Sequence, residues 1–227
     1  PFLAMILFSC ESTSKDEIDF QVEELLSRMT LEEKIGQLVQ KNGDHPNLLE
    51  LIRQGNIGSV LNEVDPLKIK ELQRVAVEES RLGIPLLIGR DVIHGFRTII
   101  PIPLGQAATW NTKLVEKGAR VAATEAASQG VRWSFAPMID VTRDPRWGRI
   151  AEGYGEDHYL HGVFGAAVIR GFQGDDLSNP TSIAACAKHF AAYGWAEGGR
   201  DYNTASISEN DLHDIILPPF KMAIEAG

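Results

Sequence analysis

Several familiar chemistries are missing from this sequence, and each absence narrows its function. It has no HExxH pattern and no Cys/His cluster; His158 and His161 are spaced as on one helix but lack further ligands, which argues against a metal centre. No G-x-S-x-G elbow marks a serine hydrolase, and neither dinucleotide nor P-loop glycine patterns occur, so no cofactor is expected. No apolar run is long enough to cross a bilayer. Positive charge is in deficit: the formal net charge of −9 and pI near 5.2 argue against nucleic acid or an anionic membrane surface as partner. Beyond residue 15 there are no repeats, low-complexity tracts or interdomain linkers.

Cysteine is equally scarce, with two residues in unlike contexts. Cys186 lies in an apolar, strand-like run and reads as a buried free thiol. Cys10 closes the apolar start PFLAMILFSC, ahead of the hydrophilic ESTSKDE. Leu7 and Ser9 before it resemble a bacterial lipoprotein processing site, with Cys10 the lipidated residue; a short buried N-terminal strand is the alternative. Residues 1–15 are thus expected to be a signal or lipoprotein-like segment and linker. Export to the periplasm or anchoring at the outer membrane follows as the expected location.

What remains is a soluble globular composition, 44% hydrophobic and 23% charged in 227 residues, enough for a full core. Residues 16–29 keep one apolar face (Ile18, Val22, Leu25, Leu26, Met29), and Thr30 with Glu33 forms a capping box for a second helix continuing to about residue 41. A short helix over 48–53 precedes a first strand over 58–64. Asp65-Pro66 starts a helix to about residue 81, with Leu67, Leu72, Val75 and Ala76 as its inner stripe. Strands are predicted over 84–91, 133–139 and 181–189. Asn111 caps a long Ala-rich helix to Ser128, another helix covers 157–171, and Ser208 opens the last.

Strand and helix therefore alternate four times, and the strands are apolar without strict alternation, the pattern of a parallel sheet with helical crossovers. Asp91, Asp140 and the Lys188-His189 pair each fall at the carboxyl end of a different strand. A parallel barrel gathers those ends on one face. A doubly wound sheet does so too, but usually shows a glycine-rich loop after its first strand, and GSVLNEVDP is not one. The expected fold is α/β, a TIM-like barrel of which four strand–helix units make about half.

The densest chemistry lies in FAPMIDVTRDPRWGRIAEGYGED, where Arg143, Arg146 and Arg149 sit among Asp140, Asp144, Glu152 and Glu156. Such a loop can satisfy itself through Arg–carboxylate pairs, or can leave groups facing a polyhydroxylated ligand. Together Asp91, Arg149, Lys188 and His189 offer an acceptor and several donors suited to vicinal hydroxyls of a neutral sugar. Trp133, Trp147 and Trp195 either supply an aromatic face for it or belong to the core. On a strand Lys188 and His189 would point to opposite sides, so both reach one ligand only if the backbone leaves the sheet there.

GRDVIHGFRT, APMIDVTRDPRWGRIAEGYGEDHYLHG and AACAKHFAAYGWAEGGRDYN, in this order, resemble glycoside hydrolase family 3, and especially its exported bacterial β-glucosidases. The resemblance implies a TIM-like barrel binding a non-reducing terminal sugar through Asp91, Arg149, Lys188 and His189, with Arg143, Asp144 and Arg146 as scaffold. It implies a retaining exo-β-glucosidase acting on β-glucosides or oligosaccharides, with β-xylosidase the nearest alternative and an inactive sugar-binding fragment another. The family's nucleophile Asp lies on a later strand and its acid/base usually in a further domain, so neither is expected before Gly227. The branch with an Asp–His acid/base after Lys-His is disfavoured, since WAEGGRDYN holds Asp201 but no histidine.

Overall fold

The computed structural model describes residues 15–227, and the expectation for Cys10 falls outside them. The chain runs α1 (Lys15–Arg28), α2 (Leu31–Gln37), β1 (Gln40–Asn42), α3 (Leu48–Arg53), β2 (Ser59–Leu61), α4 (Pro66–Glu79), β3 (Leu87–Arg90), α5 (Pro103–Ala107), α6 (Thr112–Ser128), β4 (Trp133–Ser134) and α7 (His158–Gln173). Two short helical pieces, α8 (Glu209–Asp211) and α9 (Leu217–Glu225), flank one π-turn near the end. Among the described residues the four strands are parallel in the order β1-β2-β3-β4, with Gln40 beside Ser59, Ser59 beside Leu87 and Gly89 beside Trp133.

The parallel α/β class is as expected, but the strands are not all the expected ones. The first is Gln40–Asn42, where a helix was predicted to continue. The capping box is present, with Thr30 Oγ1 accepting from the Glu33 amide and Glu33 accepting from the Thr30 amide. Helix α2 nevertheless ends at Gln37, and the Val39 carbonyl accepts from the Gly58 and Ser59 amides of the next strand. A three-residue strand carries too little pattern to be seen without its partner.

Residues 181–189, in turn, hold only single parallel bridges, Trp133 with Ala184 and Met138 with Lys188. Hydrogen bonds still run along them: Ala184 N to Arg132 O, Cys186 N to Ala136 O, Lys188 N to Pro137 O and Ile139 N to Lys188 O. Pro137 has no amide to return, so the ladder cannot close regularly. Cys186 is half-buried rather than buried.

Helix phase explains a second correction. Asp65 caps α4 by accepting from the Leu67 amide, yet Leu67 is 78% exposed and Ile69 takes its place beside Leu72, Val75 and Ala76. Positions 69, 72, 75 and 76 share one helical face, whereas 67 lies about 140° from 72. Between sheet and helices the core collects Val60 and Ile88 with Ala122, Ala123 and Ala126 of α6 and Phe164, Val168 and Phe172 of α7. Asn111 and Asp157 cap α6 and α7 through the Leu114 and Leu160 amides. These two helices touch so closely that a Cβ on Gly171 would lie 2.6 Å from Ala119 Cβ and 2.5 Å from the Glu116 carbonyl.

Candidate functional site

Strand β3 ends at Arg90, and the next residue, Asp91, stands at its carboxyl edge. Its carboxylate accepts a 2.6 Å hydrogen bond from Lys188 Nζ. The lysine is only 13% exposed, so this pairing answers the need of a charge at the end of a core segment. Two residues earlier the Cys186 thiol is pushed up by burial; the nearby Lys188 charge opposes that and Asp91 adds to it.

The bridge between Met138 and Lys188 brings residue 140 alongside 189. Asp140, its side chain fully buried, accepts at Oδ2 both the His189 amide (2.9 Å) and His189 Nδ1 (2.7 Å). The peptide between Lys188 and His189 is cis, and both side chains make contacts at the same carboxyl edge.

His189 Nε2 faces Arg149 Nη1 at 3.4 Å. Arg149 sits on a short 3-10 turn, Gly148–Glu152, and grips Glu152 with both arms of its fork (Nε–Oε1 2.6 Å, Nη2–Oε2 2.8 Å). That bidentate bond raises the guanidinium's pKa above its usual value. Tyr193 lies edge-on to His189 at 4.8 Å and under the Arg149 guanidinium at 5.3 Å. Its hydroxyl donates to Asp201 Oδ1 (2.6 Å), which also accepts from Trp147 Nε1 (2.9 Å). Burial and the Asp201 bond push Tyr193 up to about 12, while the two donors hold Asp201 below the usual carboxylate range.

An open hollow of about 310 Å³ is lined by Arg149, His189, Phe190, Ala191, Tyr193 and Tyr202. The four sequence-predicted residues therefore form two contacting pairs, Asp91–Lys188 and Arg149–His189, joined by the 188–189 peptide. Arg149 and His189 line this hollow; Asp91 and Lys188 are not among its lining residues.

Most of the arginine-rich loop is self-satisfied, as the first of its two readings held. Asp144 accepts from Arg146 Nε (3.0 Å), Nη2 (2.6 Å) and backbone amide (2.9 Å), and Arg146 holds its carboxyl at about 2. Arg143 lies 4.3 Å over the Trp195 ring. Trp147 is 1% and Trp195 8% exposed, so both belong to the core and neither offers a face to a ligand. Phe190 (80%) and Tyr202 (85%) are the exposed rings at the hollow. Sequence reasoning passed over them, because aromatics in an irregular loop carry no periodicity. It also noted Asp140 as a strand-end carboxylate without giving it a role, though its position beside Asp91 and Lys188 was the available signal. Among the described residues, no group of three His, Cys, Asp or Glu side chains is placed to hold a metal ion. His161 is wholly buried, bonded through Nε2 to the Gly155 carbonyl at 2.8 Å, and its pKa is lowered by that burial.

A parallel α/β sheet whose charged residues converge beyond its strand ends fits part of a TIM-like barrel. Residues 30–227 match the glycosyl hydrolase family 3 N terminal domain, and the chain belongs to this family. It is 42% identical over 231 residues to a periplasmic beta-glucosidase of Salmonella typhimurium, covering 100% of this chain and 30% of that one. It is 35% identical to a putative beta-xylosidase of Formosa agariphila, covering 97% and 34%. Among solved structures, a beta-glucosidase from Listeria innocua in complex with glucose superposes with a TM-score of 0.85 at 39% identity, covering 92% of this chain and 32% of that one. The chain spans about a third of the length of these relatives.

Proposed function

We propose that this chain contributes the sugar-gripping part of a retaining exo-β-glucosidase that removes terminal, non-reducing β-D-glucosyl residues. Its carrying observation is the meeting of Asp91, Lys188, His189 and Arg149 at one carboxyl edge from three distant segments. Vicinal hydroxyls are both donors and acceptors, so they can bridge an Asp91 carboxylate that accepts and Lys188 and Arg149 groups that donate. The beta-glucosidase relatives, one of them solved with glucose, support that substrate class.

Retaining hydrolysis requires a nucleophile and an acid/base about 5–5.5 Å apart. In this reading Asp91, Asp140, Glu152 and Asp201 bind or brace and take neither role, each being held by a cation, imidazole or hydroxyl. Nitrophenol release from aryl β-glucosides by the whole protein tests the reading, and no turnover of any aryl β-glycoside would sink it. Relatives named as beta-xylosidases favour a second reading, which a faster rate on aryl β-xyloside would select. Saturable glucose binding without hydrolysis would mark a binding module instead. The periplasmic relative supports export, and a lipid at Cys10 is the finer proposal. Fatty-acid labelling of the expressed protein, abolished in Cys10→Ala, is the expected result; equal labelling of both forms refutes the anchor.

A further inference from the structure

We infer that Asp140 is a positioning residue that fixes the tautomer and orientation of His189, so that the imidazole offers Nε2 to the hollow as a hydrogen-bond acceptor. Asp140 is fully buried, a costly place for a carboxylate without a compensating partner. Both hydrogen bonds it makes among the described residues go to His189, one from the amide at 2.9 Å and one from the ring at 2.7 Å. Its other oxygen, Oδ1, is buried and meets no donor among them. By hydrogen bonds the carboxylate therefore holds no other described side chain or helix end, though its charge also acts on the buried His161.

The chemistry then assigns the ring. A carboxylate has no hydrogen to give, so the nitrogen facing it carries the proton, and that nitrogen is Nδ1. On the far side Arg149 Nη1, which can only donate, stands 3.4 Å from Nε2. Glu152 has already taken the other two arms of that guanidinium, which fixes the direction of Nη1. Two neighbours from different segments, one accepting and one donating, thus select the same tautomer. The opposite one would set a lone pair against the carboxylate and an N–H against the arginine. Tyr193, edge-on at 4.8 Å, limits rotation of the plane. Nε2 has one lone pair, so a ligand group that takes it over from the long 3.4 Å Arg149 contact must bring a hydrogen, which a sugar hydroxyl has and a carboxylate or carbonyl oxygen lacks.

The role in sugar binding rests on the function proposed above; the tautomer does not, and the experiment separates them. Nitrogen-15 spectra of histidine-labelled protein, with His189 identified by loss of its signals in His189→Gln, should show hydrogen on Nδ1 and a bare Nε2. In Asp140→Ala only the long Arg149 contact still favours the Nδ1-H form, so a measurable fraction with hydrogen on Nε2, the preference of a free imidazole, should appear. Asp140→Asn, whose carbonyl oxygen still accepts, should retain the Nδ1-H form and so serve as the conservative rescue. Glucose affinity by calorimetry should weaken in Asp140→Ala by roughly tenfold to hundredfold, the range for losing one charge-assisted hydrogen bond, and by less in Asp140→Asn. Hydrogen on Nε2 in the unaltered protein overturns the inference without recourse to any variant. So does an unchanged tautomer in a folded Asp140→Ala. The expected tautomers without glucose binding by any form would uphold the positioning role and sink the sugar reading alone.

Discussion

Lys188 Nζ lies 2.6 Å from Asp91 Oδ1, across 97 residues of chain. The pair closes the gap between the end of β3 and the end of the 181–189 segment. It leaves Asp91 48% exposed, with acceptor capacity to spare for a ligand.

Replacing Lys188 by alanine should weaken glucose binding roughly tenfold to hundredfold, as for a lost charge-assisted hydrogen bond. Thermal stability should change little, because the freed Asp91 carboxylate is open to water. Calorimetry and a melting curve check both halves; unchanged affinity would remove Lys188 from the sugar site.

Arg149→Lys should not be conservative. A lysine cannot reproduce the two-armed grip on Glu152 and still reach His189. Affinity for glucose should fall about tenfold. A double-mutant cycle with Glu152→Gln should show a coupling of roughly 0.5–1.5 kcal/mol to folding. Strict additivity would mean the fork contributes nothing.

Gly171→Ala tests the contact that sets α7 against α6. The new methyl group would meet the Glu116 carbonyl and Ala119 Cβ, so a loss of about 1–3 kcal/mol is expected from urea unfolding. Gly148→Ala, whose Cβ would meet nothing within 4 Å, is the control and should stay within about 0.5 kcal/mol.

Glu33 should contribute to acid sensitivity. Hydrogen bonds from Arg81 and Thr30 lower its carboxyl from the ordinary 4.5 to about 2. A carboxyl lowered in the folded state stabilises it above the unfolded value and ceases to do so as pH falls through the folded one. The gap in denaturation midpoint between the native protein and Glu33→Gln should therefore be full above about pH 4.5 and close towards pH 2. A gap independent of pH would assign the ion pair no role.

Local chemistry was legible from the residues alone. The Thr30–Glu33 capping box and the caps at Asp65 and Asn111 are short-range effects, and each was met as written; alternation of helix and parallel strand holds as a class, though not with the same four strands. The family, and the residues gathered at strand ends, were legible because three long motifs carry them. Geometry set by a partner was not legible. Gln40–Asn42 is a strand only because Ser59–Leu61 lies beside it, and residues 181–189 lose regular pairing because Pro137 stands opposite. Trp147 and Trp195 turn inward because other segments enclose them.

The sequence by itself determined that the chain is α/β and which residues cap several of its helices, since these follow from periodicity and near-neighbour hydrogen bonding. Only the tertiary structure decided that His189 leans on Asp140 and Arg149 while Lys188 turns to Asp91. Those contacts span 40 to 97 residues, so no near-neighbour rule sets their directions. A hydrogen bond's donor and acceptor are written in the chain; their meeting is a property of packing.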